Sequence, residues 1–598
     1  MPVKYLLSLF VLSLLAGAVY SAERLNVVLV VADDLGWADL GCYGSTYHKT
    51  PNLDRLASEG LRFTHGYAAC PVCSPTRASI MTGKYPQRMG ITDWLPGRPD
   101  RPDSKLKRPQ LVNDLPVSET TIAAAFKKAG YVTGLIGKWH LGGKDATPEK
   151  HGFDVNIGGD HTGTPLSYFA PFVGKKDNRA MPGLETAPAG EYLTDRFAAE
   201  AEKFIDHNKE KPFFLYLPHN APHTPLRAKA EVIAKYKERP FGQQGNPIYA
   251  AMLESLDEAV GRVLKKLDDL KLTERTIVIF TSDNGGLATL EGMPAPATIN
   301  SPLREGKGYL YEGGIRVPLI VKWPGSVKSG TTTSVPACSI DFFPTLLSAC
   351  AVTSEAKTDG INLVSVLKGG KMEREAIYWH YPHYANQGSK PGGAIRAGNF
   401  KLIEFYENDR RELFDVVADV GEGRNLAAEK PDMVKKLADQ LAAWRTSVGA
   451  KMPTPNPDYV PNPQAKDGTI VMPARTAEVF GTMLRFEPLP HKNTLGYWVN
   501  KDDWASFPFT VSRGGKFTVE VLQGCGKGHG GSEVEVAIGE QSLKFIVEDT
   551  GHFQNFKPRD IGEISIEKPG LYTLTIKPKM KKAAAVMDVR EVRLKPVK

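Results

Sequence analysis

Cysteine is scarce in this chain of 598 residues: Cys42, Cys70, Cys73, Cys338, Cys350 and Cys525 are the complete set, too thinly spread to imply a disulfide framework. Charge of one sign is also lacking, since 75 basic against 67 acidic residues leave only +8. No helical pattern clusters the basic residues, so no nucleic-acid partner is expected, and the small excess favours an anionic substrate only weakly. Beyond the first residues no apolar run is long enough to span a bilayer, which excludes a transmembrane segment in the mature chain. What remains is an ordinary globular composition at a length that exceeds one hydrophobic core, so two or three domains are expected.

The N-terminus is the exception to the missing apolar runs. Met1 to Lys4 form a charged start, Tyr5 to Ala18 a short apolar stretch, and Val19-Tyr20-Ser21 before Ala22 a small-residue cleavage site. Residues 1–21 are therefore expected to be a signal peptide, and the mature protein to be exported, either periplasmic or secreted.

Four apolar segments end in polar, chemically capable residues. Val27 to Val31 run into Asp33-Asp34, Tyr131 to Ile136 into Lys138-Trp139-His140, Phe213 to Leu217 into His219 and His223, and Thr276 to Phe280 into Asp283-Asn284. Continuous apolar strands alternating with helical segments predict an α/β fold with a doubly wound, mostly parallel sheet, whose ligands gather beyond the carboxyl ends of the strands. The helices are read at Thr50 (cap) with Pro51 to Gly60, at Thr121 to Ala129, and at Pro247 to Leu270. Val317 to Val321 are expected to join the sheet.

This catalytic α/β domain is placed at 22–370. A smaller antiparallel subdomain follows at 371–450, with strands near Ala394 and Lys401 to Phe405 and a helix from Asp432 to Trp444. Five prolines between Met452 and Pro463 mark a stiff linker at 451–468. Short alternating strands such as Phe517 to Val521 and Leu571 to Ile576 then predict an all-β sandwich at 469–598. Its aromatics Tyr497, Trp498, Trp504, Phe507 and Phe509 suit core packing better than a sugar-stacking surface.

The most informative segment is Cys73-Ser74-Pro75-Thr76-Arg77-Ala78-Ser79-Ile80-Met81-Thr82-Gly83. Pro75 fits a first helical turn and Gly83 a helix end, which sets Cys73 near the N-cap, where free backbone N–H groups favour anions. Asp33, Asp34, Asp283 and Asn284 supply hard oxygen ligands suited to Ca²⁺ or Mg²⁺. The pair Cys70/Cys73 could also read as a redox or metal CxxC, but no second such pair exists and Pro75 and Arg77 would be left without a purpose.

The CxPxR run followed by Thr82-Gly83 resembles the formylglycine-dependent sulfatases of the alkaline phosphatase superfamily, and the likeness extends from about Asn26 to Pro455. It implies an alkaline phosphatase-like sheet and conversion of Cys73 to formylglycine, which hydrates to a diol and shares a cation, Ca²⁺ in preference to Mg²⁺, with Asp33, Asp34, Asp283 and Asn284. Conversion requires a formylglycine-generating or anaerobic maturation enzyme as partner. Gly137-Lys138-Trp139-His140-Leu141-Gly142 matches a family segment in which Lys138 binds sulfate and His140 takes a proton from the diol. By the same likeness Arg77 steadies the diol or the carboxylates, His223 is the acid for the leaving oxygen, Lys307 is a second sulfate-binding lysine, and Glu312 and Arg316 hold the loop. His219 is a further candidate at the substrate. The segment Tyr378 to Gln387 looks like a substrate-selecting loop, with His380 and His383 as sugar-contact candidates. The expected activity is hydrolysis of sulfate esters on a sulfated glycan, a galactose-type unit of an algal or animal polysaccharide being one candidate. Two alternatives stay open: a phosphate or phosphonate ester hydrolase of the same superfamily, and a glycan-binding protein with unmodified Cys73.

Overall fold

The computed structural model describes residues 24–102, 104–175, 178–239, 245–291, 293, 295–487 and 491–597. The expected signal peptide, residues 1–21, lies outside the described residues. Among the described residues, no helix is long and apolar enough to cross a membrane.

The catalytic part is built on a nine-stranded mixed sheet, counted over the described residues. Asn26–Ala32 lies at its centre, parallel to Phe213–Pro218 on one side and Thr276–Ser282 on the other. Val132–Ile136 and Val155–Ile157 extend the parallel part beyond Phe213–Pro218. Arg316–Lys322 does join the sheet, but antiparallel to both Thr276–Ser282 and Leu61–Tyr67. Helices cover both faces, which explains why the central strand is apolar from Val27 to Ala32. Val28, Val30 and Ala32 face Pro247–Asp269 and Leu193–His207, while Val27, Leu29 and Val31 face Cys73–Thr82 and Ile122–Lys128.

The helix ends follow their local chemistry with one correction. Thr121 Oγ1 accepts from the N–H of Ala124 and so caps Ile122–Lys128, and the Asn246 side chain does the same for Pro247–Asp269. Thr50 occupies the cap position of Pro51–Glu59 without bonding the helix N–H groups. Its hydroxyl accepts from Gly41 N at 2.8 Å and donates to Asp54 Oδ1 at 3.2 Å, tying the helix to the preceding loop.

Ile377–Tyr381, Gly392–Ala397, Phe400–Phe405 and Arg410–Asp415 form the antiparallel sheet of the smaller region in sequential order, with Pro431–Ser447 packed on it. The Pro-rich connector is pinned rather than free: Thr454–Pro455 pairs with Leu106–Lys107, and Asn456 Nδ2 donates to the carbonyls of Arg101 and Ser104. Beyond it, a six-stranded and a five-stranded sheet, counted over the described residues, enclose a core that includes Trp498, Phe507, Phe509, Val519 and Leu594. Trp504 is half-buried, and Tyr497 is the exposed member of the aromatic set.

Candidate active site

The register of the central strands brings the site together. Ala32 pairs with Ser282 and Val31 with Pro218, so Asp33-Asp34, Asp283-Asn284 and the His219–His223 turn leave the sheet at one level. Gly137 ends the next strand at φ 126°, and a Cβ there would lie 1.9 Å from the Pro218 carbonyl oxygen. Only glycine lets the chain turn this tightly and place Lys138 over the carboxylates. Asp34 (φ 64°) and His140 (φ 56°) adopt left-handed backbone conformations that cost energy in a non-glycine residue, a concentration of strain common at functional sites.

Cys73 is the first residue of Cys73–Thr82, a helix whose ten residues are all buried. Its polar side chains are consequently bonded inward: Ser74 Oγ accepts from Leu95 N, and Thr76 Oγ1 donates to the Cys70 carbonyl. Arg77 Nε donates to Asp283 Oδ2 at 2.9 Å, and Nη2 forms ion pairs with Asp283 Oδ2 at 2.7 Å and Asp33 Oδ1 at 3.6 Å. Lys138 Nζ donates to Asp33 Oδ2 at 2.8 Å, and Lys307 Nζ to Asp34 Oδ2 at 2.9 Å. Three cations thus face three carboxylates in a water-poor setting. Burial alone would raise the Asp33 and Asp34 carboxyls, but Lys138 and Lys307 respectively, each aided by His223, hold both below their ordinary values.

The two site histidines are fixed in opposite senses. His140 Nε2 lies 2.7 Å from the Leu95 carbonyl and must donate to it, which leaves the Nδ1 lone pair facing Cys73 Sγ at 3.4 Å. Burial, and then the positive charge of Lys138, push His140 well below the ordinary histidine range, so it is neutral at pH 7. His223 Nδ1 donates to the Thr224 carbonyl at 2.5 Å, and its Nε2 accepts from Lys307 at 3.0 Å. Burial raises the Cys73 thiol, which makes the unmodified side chain a poor nucleophile.

Among the described residues, Asp33 Oδ1 and Asn284 Oδ1 are buried oxygens with no hydrogen-bond donor. Orphaned acceptors of this kind beside Asp34 and Asp283 form a hard-oxygen donor set that fits a divalent cation of the Ca²⁺ or Mg²⁺ class.

Comparison with known proteins agrees with this geometry. Residues 25–352 match the sulfatase family, residues 306–447 the C-terminal region of N-sulphoglucosamine sulphohydrolase, and residues 487–597 a domain of unknown function. Human (Homo sapiens) N-acetylgalactosamine-6-sulfatase is 35% identical over 61% of this chain and 70% of its own length. A sulfatase of Formosa agariphila is 31% identical over 71% of this chain and 89% of its own. The crystal structure of Ps i-CgsB in complex with k-i-k-neocarrahexaose is 31% identical with a TM-score of 0.61, covering 71% of this chain and 93% of that one. The chain belongs to the sulfatase family. The alkaline phosphatase-like α/β fold and hydrolysis of sulfate esters come with that membership.

In this sulfatase a cavity of ≈ 440 Å³ opens above the carboxylates, and its lining includes Cys73, His140, His223 and Lys307. Asp33, Asp34, Arg77, Lys138, Asp283 and Asn284 lie buried around it in the network just described. Three other candidates do not line it. His219 is fully buried with neither ring nitrogen hydrogen-bonded, His380 bonds Tyr406 Oη and the Lys451 carbonyl, and His383 bonds Thr92 Oγ1. From the same Tyr378 to Gln387 segment it is Asn386 and Gln387 that reach the cavity. Trp94, His161, Thr162 and Glu291 also line it and escaped the reading of the sequence. They stand on loops away from the strand ends, and only the polar-aromatic composition near Trp94 could have flagged them.

Proposed function

We propose that this sulfatase removes sulfate from a sulfated polysaccharide or oligosaccharide, using formylglycine made from Cys73 together with a bound Ca²⁺. The observation that carries the proposal is the placement of side chain 73 at a helix N-terminus, in the cavity, with the lone pair of His140 Nδ1 aimed at it. The hydrated aldehyde supplies a hydroxyl oxygen for attack at sulfur, which the buried thiol does not. The cation, held by Asp33, Asp34, Asp283 and Asn284, supplies positive charge that favours ionisation of that hydroxyl.

The chain's own groups do the rest. His140, neutral and held by Leu95, is placed to accept through Nδ1 the proton of the second diol hydroxyl at position 73, whose loss would expel sulfate and restore the aldehyde. Arg77 holds the Asp283 carboxylate in place. Lys138 and Lys307 neutralise the sulfate as its charge redistributes in the transition state. His223 Nε2 accepts from Lys307 in this arrangement, so as the acid for the leaving oxygen it would first take up a proton at Nε2, from Lys307 or from solvent, and then donate it. The assignment of Lys138, Lys307, His140 and His223 to these roles also rests on the family motifs.

A sugar substrate is supported by the lining, where Trp94 offers an aromatic face and His161, Asn386 and Gln387 offer hydrogen bonds. The N-acetylgalactosamine and the k-i-k-neocarrahexaose named for two of the relatives favour a galactose-type glycan. His219, His380 and His383 are left as candidates acting from behind the lining. Export and a maturation enzyme as partner complete the proposal.

Mass spectrometry of the Cys73 peptide from the native host is the first test. The aldehyde mass is expected, and an intact thiol in active enzyme would refute the mechanism. Turnover of nitrophenyl sulfate against nitrophenyl phosphate is the second, with higher kcat/KM on sulfate expected; preference for phosphate would favour the phosphoester alternative.

A further inference from the structure

Three cavities of ≈ 200, ≈ 80 and ≈ 300 Å³ lie along the seam where the β-sandwich meets the catalytic part, and all three are lined by both Arg304 and Arg485. Arg304 comes from the catalytic part and Arg485 from the sandwich strand Arg485–Glu487. Among the described residues, Arg485 makes no hydrogen bond or ion pair and lies over the Tyr497 ring, 3.6 Å from its centroid. Arg304 lies 3.8 Å over the Tyr311 ring, donates through Nη1 to the Glu422 carbonyl at 3.2 Å, and keeps a buried Nε with no acceptor.

The acids around the pair are committed elsewhere. Glu412 takes Arg410 and the Tyr311 hydroxyl, Glu487 takes Lys492, and Glu422 takes Lys401. Glu305 lies 4.0 Å from Arg304, and burial pushes its carboxyl up to about 7, which weakens it as a counter-charge. Burial, and then the charge of Arg304, lower the pKa of Arg485. Two guanidinium groups share a half-buried seam in which, among the described residues, the carboxylate paired with either is Glu305, distant and weakened by burial, an arrangement that an anion with several oxygens would relieve.

The seam also adjoins the active site along the chain. Lys307 is three residues beyond Arg304, at most about 11 Å of extended backbone. Gly388 and Ser389, which line the seam, follow directly on Asn386 and Gln387, which line the catalytic cavity.

We infer that the Arg304–Arg485 seam is a second binding site, which takes a sulfate group on a unit of the glycan chain other than the one being hydrolysed. The inference rests on the substrate being a sulfated glycan, and gives the sandwich the task of gripping polymer beside the catalytic cavity. Strength comes from charge-assisted hydrogen bonds to the sulfate oxygens.

Binding is best read without turnover, in the full chain carrying Cys73→Ala, by calorimetric titration with dextran sulfate, dextran and polygalacturonate at constant ionic strength. Dextran sulfate is expected to bind at least tenfold more tightly than polygalacturonate, and dextran not at all. Arg485→Gln should weaken dextran sulfate about tenfold, the size of effect expected for charge-assisted hydrogen bonds lost to one guanidinium. Lys435→Gln, at an exposed helix position, should leave binding unchanged. Equal affinity for polygalacturonate, an unaltered affinity in Arg485→Gln, or an equal loss in Lys435→Gln would each overturn the site. Should Arg485→Gln unfold the sandwich, exposed Arg475 on the same seam serves instead: Arg475→Gln is expected to weaken binding about threefold, and no weakening counts against the site. Sulfate release by the mature enzyme from defined sulfated saccharides tests the underlying substrate class separately, so the two failures can be told apart.

Discussion

The Leu95 carbonyl oxygen lies 2.7 Å from His140 Nε2, and this single contact decides which ring nitrogen of His140 is free to act on residue 73. The backbone loop therefore sets the protonation pattern of the base, with no carboxylate needed behind it. In His140→Gln, kcat on nitrophenyl sulfate should fall about 10²–10⁴-fold, the range expected for loss of a general base, while KM changes little. Because burial and Lys138 depress the His140 pKa, its basic form persists below the ordinary histidine range. The acid limb of kcat is thus expected below pH 6.5 and a limb at or above 6.5 would contradict the assignment.

Removal of divalent cations should be visible in stability as well as in activity. The orphaned oxygens of Asp33 and Asn284 are buried, so a chelator that empties the site leaves them unpaired. Dialysis against EGTA is expected to lower both Tm and sulfate release, with Ca²⁺ restoring both better than Mg²⁺. Full activity and an unchanged Tm in the chelated protein would exclude a resident cation.

Lys401 joins the smaller region to the catalytic sheet as a buried cation between Glu312 Oε1 at 2.9 Å and Glu422 Oε1 at 2.7 Å. Lys401→Met leaves two buried carboxylates facing each other, a change expected to cost about 3–5 kcal/mol. The urea midpoint of the catalytic part should drop accordingly, whereas Lys435→Met at the exposed Lys435–Asp439 pair should not move it. KM of the enzyme that remains folded should be unaffected, since neither lysine lines the cavity.

His219 provides a pH test. Burial lowers its pKa to about 3 in the folded protein, against about 6.5 when unfolded. Between these values the unfolded chain binds the proton and the folded one does not, so stability falls as pH drops from about 6.5 towards 3. His219→Leu should flatten that part of the stability profile and retain activity at pH 7.5 within a few-fold. A loss of activity as large as that of His140→Gln would instead place His219 at the substrate.

The catalytic sheet and its carboxylate cluster were legible because four apolar segments each ended in chemistry-bearing residues, and strands buried on both faces leave an uninterrupted apolar signature. The helix at Cys73 was legible from Pro75 and Gly83. The far wall of the cavity was not, because Trp94, His161 and Glu291 reach it on irregular loops whose course no periodicity records. His380 shows a further limit: the segment read as a loop carries it on the strand Ile377–Tyr381, and the partners that turn the ring inward, Tyr406 and Lys451, come from distant parts of the chain. The antiparallel course of Arg316–Lys322 is likewise a matter of topology, to which an apolar run is blind.

The Cys73 side chain is 3% exposed, on a helix with every residue covered. On the proposed mechanism, a maturation enzyme would reach this thiol more readily while the polypeptide is still open than through the cavity it lines, so chemical maturation would compete in time with collapse of the sheet. The supply of active catalyst would then be set largely during biosynthesis, before the sheet closes over residue 73.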